Sequence, residues 1–529
     1  MRFSISAFPG RLRAVATRII RPLGPVWTLV FVGLSIAAVY PIWRAKHPPL
    51  QDLPQHLAAI SVLKNYPDLG LGQYFDLQLS KTQYLTYYLL AQALSYLAGV
   101  TLANKILLCA SLIALPWSIA SLLRELGRDA RLAIFAFGLT YNAHLVLGFF
   151  NFLAALPLVF WGLTAAVRLR QEHTPKRMIY LGLWLLVCFY MHVVPFAFLG
   201  LGATIVLIGD SVKLTAQRAI AFIPVLIAAG GWLASTPAGR ATLAAAEAAE
   251  TVEKPFYVTI GQAIRELPTW LTDVLHRERD DQLLVAWGAL LLLAMAVGLR
   301  PQARRVTDAI GEVEDERGPN YAWLLGLMSP LAFVAYFVLP SAYDWIWPIS
   351  GRFPLLALLF LTLLLPRMRG ILGATVLLAA AVVASLSFYE INKSFVQFER
   401  EEVGDIDQAL AAIPKGERVA GLIFGGSSNI VRFAPFLHYV ALYQARKGGV
   451  VMFTFAEFPQ SPFRFKADTR PPIVPPRWEW TPERVDPDRD LTWYRYVLVR
   501  GGPGRIQRSP YFESVFQGAG WTVWRRVDT

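Results

Sequence analysis

Gln83-Tyr84-Leu85-Thr86-Tyr87-Tyr88-Leu89-Leu90-Ala91-Gln92-Ala93-Leu94-Ser95-Tyr96-Leu97-Ala98 is long and apolar enough to be read as a membrane span. Its reading decides which way the rest of the chain faces. Two basic clusters follow it: Arg124, Arg128 and Arg131 after the apolar segment 102–123, and Arg168, Arg170, Lys176 and Arg177 after 132–167. Short basic connections mark the cytoplasmic side. If 83–98 crossed the membrane, both clusters would point outward. The four tyrosines Tyr84, Tyr87, Tyr88 and Tyr96 suit an interface instead. The stretch therefore reads as a helix lying along the membrane. On this reading the tight turn Gly148-Phe149-Phe150-Asn151-Phe152 lies outside.

The remaining apolar segments alternate with the basic connections in step. They are 26–43, 102–123, two crossings within 132–167, 178–194, 195–209, 218–235, 282–299, 322–340, 352–366 and 370–389. That predicts a polytopic α-helical membrane protein with about 11 transmembrane helices, several segments approaching the roughly 20 residues that span a bilayer. Composition agrees: 55% of the 529 residues are hydrophobic and 16% charged, against about 25% charged in soluble domains. The net charge of +13 sits largely in the short connections, so it marks cytoplasmic loops and not a nucleic-acid surface. Arg2, Arg11, Arg13, Arg18 and Arg21 precede the first span, and no small-residue cleavage site follows it. This predicts an uncleaved anchor with a cytoplasmic N-terminus. Cys109 and Cys188 fall inside apolar runs and read as inert buried thiols.

Residues 1–389 thus read as a transmembrane domain, whose first outer loop (44–101) carries two interfacial helices, 54–64 and 83–98. Residues 390–529 change character, being charged and rich in Pro and Trp. Strand-like runs at 418–424, 450–455, 494–499 and 520–525 and a helix-like run at 434–446 predict a small extracytoplasmic α/β domain.

Polar residues of the apolar segments gather toward the outer side. Asp52 and His56 lie in the first loop, within Gln51-Asp52-Leu53-Pro54-Gln55-His56. Asn142, His144 and Asn151 flank the outer turn, His192 ends its segment, and Asp344 and Arg352 bound the last outer loop. Ionisable residues at membrane depth are functional candidates, and several on one rim suggest a single extracytoplasmic cavity. Each also has a plainer reading. Asp52 and Asn151 fit helix caps, His144 and His192 fit satisfied bundle histidines, Arg352 fits a snorkelling side chain, and Asp344 fits ordinary loop solvation. In the tail, Phe424-Gly425-Gly426-Ser427-Ser428-Asn429 reads as a plain loop more readily than as an anion cradle, and His438 and Tyr439 as packing residues.

This layout resembles the GT-C superfamily of integral-membrane glycosyltransferases: one span, an acidic first outer loop with two interfacial helices, a bundle, and an outer domain. The resemblance implies transfer of a sugar from a polyprenyl-phosphate donor to an extracytoplasmic glycan, lipid or protein acceptor at the inner membrane. It implies Asp52 as general base or metal ligand, and Arg352 as the contact to the lipid-linked phosphate. On that scheme His56 orients Asp52 or shares its proton, and His144, Asn151, His192 and Asp344 contribute to substrate binding. GT-C members that need a metal carry a second acidic motif, which the 148–152 turn lacks; a divalent-metal site here would draw on His56, His144 or His192. Two other classes stand beside the enzyme: a transporter or flippase of a lipid-linked substrate, and a non-catalytic assembly subunit that docks through its tail.

Overall fold

The computed structural model describes residues 10–209, 211–236, 255–298, 321–343, 346–472, 478–502 and 504–527. Among them, seven helices are long and apolar enough to cross a membrane: Leu23–Arg44, Val100–Glu125, Phe150–Gln171, Val212–Ser235, Arg279–Val297, Tyr321–Val338 and Gly370–Glu401. Shorter apolar helices, Ala130–Leu139, Val193–Leu207 and Ser350–Leu361, lie between them. The chain is an integral membrane protein with a helical bundle. Of the two crossings expected within 132–167, only the second is a regular α-helix. The first is the 3₁₀ run Ala130–Leu139, followed after Asn142 by the short helix Ala143–Leu147.

In the first loop, α1 (Gly10–Arg44) gives way to α2 (Leu53–Asn65) and α3 (Thr86–Ala98), each 13 residues long. At 1.5 Å per residue that is about 20 Å, short of the roughly 30 Å hydrocarbon core. Gly99, at φ 76, then breaks the chain out of α3 and into the long helix α4 (Val100–Glu125). The two loop helices differ in surroundings. Leu90, Tyr96 and Leu97 leave an apolar exposed face on α3. The expectation of an interfacial helix at 54–64 is corrected: α2 is buried from Leu53 to Leu63, packed against α3 and the short helix Ala441–Lys447 of the tail.

The tail does not begin at residue 390. Helix Gly370–Glu401 runs unbroken through that position, because nothing from Glu390 to Glu401 interrupts helical geometry. Beyond it stands a five-stranded sheet in the order β3-β2-β5-β7-β6: Val450–Val451, Arg418–Ile423, Tyr496–Arg500, Trp521–Arg526 and Phe512–Gly518. The first two pairings are parallel and the last two antiparallel. Alternation along β2 (Arg418–Ile423) divides the core. Val419 and Ile423 join the apolar cluster that continues into the bundle, whereas Ala420 and Leu422 join a smaller one with Trp478 and Tyr494 on the opposite face. A second, two-stranded sheet ties loop to tail: β1 (Phe75–Leu77) pairs antiparallel with β4 (Phe463–Phe465).

Candidate active site

Asp52 stands where the first loop meets the 148–152 turn of the bundle. Gln51 N–H donates to the Val146 carbonyl at 2.7 Å, and Asp52 N–H to the Leu147 carbonyl at 3.1 Å. Gly148, at φ 92, presses against it, so a Cβ there would lie 2.7 Å from the Asp52 Cβ and 2.9 Å from its N. Only glycine combines that left-handed backbone with that approach. Although Asp52 occupies the position before α2, its carboxylate makes no capping hydrogen bond. It instead meets His438, whose Nε2 lies 3.3 Å from Oδ1.

His56, the expected partner of Asp52, is engaged elsewhere. Its Nε2 lies 2.7 Å from the Gly148 carbonyl, which only accepts, so Nε2 carries the proton. Nδ1 then accepts from the Tyr88 hydroxyl at 3.0 Å. The ring stacks on Phe150 at 4.6 Å. Burial lowers its pKa to about 4, against the opposing pull of Asp52 and the Gly148 carbonyl. His56 is thus a neutral strut between the start of α2 and the 148–152 turn.

Both Asp52 and His56 line a cavity of about 1010 Å³. Its walls come from the 148–152 turn, the loop residues Ala342, Ile346, Trp347 and Arg352, and the tail (His438, Phe453, Phe455, Phe458, Trp480 and Arg484 among them). Arg352 is 8% exposed, its guanidinium 5.5 Å from the centre of the Phe149 ring and its Nε without a hydrogen-bond partner. Among the described residues no carboxylate lies within ion-pair distance of it. A desolvated guanidinium in that state is a strong site for an incoming anion.

Asn151 also faces the cavity, in the first turn of Phe150–Gln171, and does not cap that helix; its buried Oδ1 has no partner. His192 does both jobs weighed for it. Its Nδ1 accepts from Val194 N–H at 3.2 Å and caps helix Val193–Leu207, while Nε2 faces the Tyr84 hydroxyl at 3.4 Å in the cavity wall. His144 is corrected: it stands behind the wall. Wholly buried, it stacks on Trp270 at 6.1 Å and places Nε2 3.1 Å from the Gly351 carbonyl, so it holds the peptide next to Arg352. Asp344 lies outside the described residues.

The ring nitrogens of the three histidines turn to separate partners: His56 to the Gly148 carbonyl, His144 to the Gly351 carbonyl and His192 to the Val194 N–H. Among the described residues, the one group of three or more acidic or imidazole side chains close enough to share an ion is Asp273, Asp280 and Asp281, which do not line the cavity. The glycine-rich loop after β2 is occupied by protein: Arg500 Nε–H donates to the Gly425 carbonyl at 2.9 Å, and Ser428 Oγ accepts from Ile430 and Val431 N–H.

His438 is the site residue that sequence reasoning passed over. It sits in an apolar run far along the chain from Asp52, where an imidazole reads as packing. No local signal marks it; the contact exists only through the tail's docking on α2.

No protein-family profile and no curated protein matches the sequence. Solved structures do match the fold. ArnT from Cupriavidus metallidurans in the apo state superposes with a TM-score of 0.54 at 12% identity, over 95% of this chain and 98% of that one. ArnT bound to undecaprenyl phosphate gives 0.55 at 11%, with the same coverage. The fold is that of ArnT. The likeness spans the helical bundle and the C-terminal sheet together.

Proposed function

We propose that this protein is a membrane glycosyltransferase that moves a sugar from a polyprenyl-phosphate donor to an acceptor outside the cell's inner membrane. The observation that carries the reading is one cavity lined by both a carboxylate, Asp52, and a buried guanidinium, Arg352. The ArnT fold, solved elsewhere with undecaprenyl phosphate, supports a lipid-phosphate ligand.

In the proposed reaction the acceptor hydroxyl attacks the sugar's anomeric carbon while the bond from that carbon to the phosphate oxygen breaks. Asp52 takes the hydroxyl proton as general base. Polyprenyl phosphate leaves with the bonding electrons, and Arg352 neutralises the charge that develops on its oxygen. Asn151 and His192, in the same wall, contact the donor head group. The basic connections at the far end of the bundle, where Arg128 donates to the Leu365 carbonyl, support placing that end in the cytoplasm and the cavity outside.

The test compares wild type, Asp52→Asn and Arg352→Gln, purified in lipid, for turnover of a synthetic polyprenyl-phosphate sugar, with mass spectrometry of co-purified lipid. We expect Asp52→Asn to retain lipid and lose at least about 100-fold in rate, the lower range for a general base. Arg352→Gln should lose the lipid itself. Lipid held equally by all three forms with no turnover in any would point to carriage and overturn the reading.

A further inference from the structure

We propose that His438, carried by the tail, is a positioning residue for the Asp52 carboxylate, so that the proposed base is complete only when the tail is docked. This rests on the glycosyltransferase reading and extends it to a residue outside the membrane bundle.

Among the described residues, the imidazole of His438 is the side chain that meets the Asp52 carboxylate, at 3.3 Å from Oδ1. Among the described residues Oδ2 has no hydrogen-bond or ion-pair partner, and Asp52 lines the cavity. An imidazole seated against one oxygen restricts the carboxylate's rotation on that side and leaves the other oxygen's lone pairs for a substrate hydroxyl. His56, the nearer candidate in sequence, cannot take this part because both its nitrogens are committed.

The imidazole is itself held. It is 7% exposed and stacks on Phe453 with ring centres 5.4 Å apart and planes 19° apart. The residues that clamp this piece of tail flank Asp52 on the same helix start. Gln51 Oε1 accepts from Ala434 N–H at 3.1 Å, and Gln55 Nε2–H donates to the Phe453 carbonyl at 3.0 Å. Just before Ala434, Phe433 is held at φ 69, a left-handed conformation that costs a bulky residue about 1–3 kcal/mol and persists only where neighbours impose it. Arg432 is pinned on the other side, with its Nε 2.6 Å from Asp273 and its N–H donating to Val274. Segment 432–438 is therefore constrained at both ends, and the group it delivers is the His438 imidazole.

The experiment uses full-length protein in lipid nanodiscs and the same synthetic polyprenyl-phosphate sugar. His438→Phe keeps the stacking on Phe453 and removes the N–H; His438→Gln keeps an N–H donor. We expect His438→Phe to lower kcat by about 10-fold or more, the cost of leaving the Asp52 oxygen without its polar neighbour, with the donor KM and bound lipid unchanged. His438→Gln should recover part of that rate. A His438→Phe enzyme with wild-type kcat overturns the assignment, and so does a raised KM at unchanged kcat. Equal loss in both variants with a lowered thermal midpoint shows a packing role and overturns it too. The parent reading fails separately: it falls if the wild type is inactive. Active wild type, inactive Asp52→Asn and unaffected His438→Phe would remove only His438.

Discussion

A glycine and a histidine decide whether the cavity's carboxylate is where it should be. Gly148 leaves no room for a methyl group against Asp52 and sits at a φ that disfavours one. Gly148→Ala should therefore lose turnover by at least about tenfold, with strain of about 1–3 kcal/mol visible as a lower thermal midpoint. Turnover and midpoint both at wild-type level would refute it. His56 makes stability depend on pH. In the unfolded chain its imidazole takes a proton below its ordinary 6.5, whereas in the folded protein burial delays this until about 4. Between those values the unfolded state binds more protons, so stability is full above 6.5 and declines as the pH falls toward 4. The loss amounts to about 3 kcal/mol at 1.36 kcal/mol per unit. Thermal melts across that range should show the decline in wild type and a flatter profile in His56→Gln; parallel profiles would remove His56 as the cause.

At the scale of elements, the pairing of β1 (Phe75–Leu77) with β4 (Phe463–Phe465) fastens the first loop to the tail. Phe75 is fully buried there, with its ring 5.3 Å from Phe463 and 5.0 Å from Phe465. Phe75→Ala should cost about 3–5 kcal/mol, as aromatic truncations in a core do. Hydrogen exchange should show β1 and β4 losing protection together while β2 and β5 keep theirs; unchanged β4 protection would refute the coupling. These short strands were illegible in the sequence, since three residues carry no period. Edge strand Phe512–Gly518 was missed for a related reason: most of its side chains are exposed and a bulge interrupts its alternation. The buried strands at 418–423 and 496–500 were legible as apolar runs with β-branched residues. Run 434–446 was read as one helix, yet the α-helix begins only at Ala441, because Pro435 and the left-handed Phe433 hold the chain in turns. The site divides the same way. Asp52, Arg352, Asn151 and His192 were legible because polar groups stand out in apolar surroundings, and the structure brings these four to one cavity. His438 and the strut role of His56 depend on contacts between distant segments, which no local pattern encodes.

For the molecule as a whole, the two ends of the bundle carry opposite instructions. The basic connections gather at one end and the cavity opens at the other, and the proposed function takes the cavity's end to be the outer one by the positive-inside rule. With Cys109 and Cys188 replaced by serine, a cysteine at Trp480, 56% exposed in the cavity wall, should react with a membrane-impermeant maleimide on intact cells. One at the exposed Lys176 should react only after lysis. The reverse pattern would invert the topology and remove the extracytoplasmic reading. The seam between Phe75–Leu77 and Phe463–Phe465 has a consequence for how such a chain can change over generations. A strand that completes its hydrogen bonding only with a partner encoded near the other end of the gene ties the two stretches to a common fate. Exchanging the tail for that of a distant relative would leave an open edge beside the cavity, so new specificities must be inherited with the first loop and the tail as a matched pair.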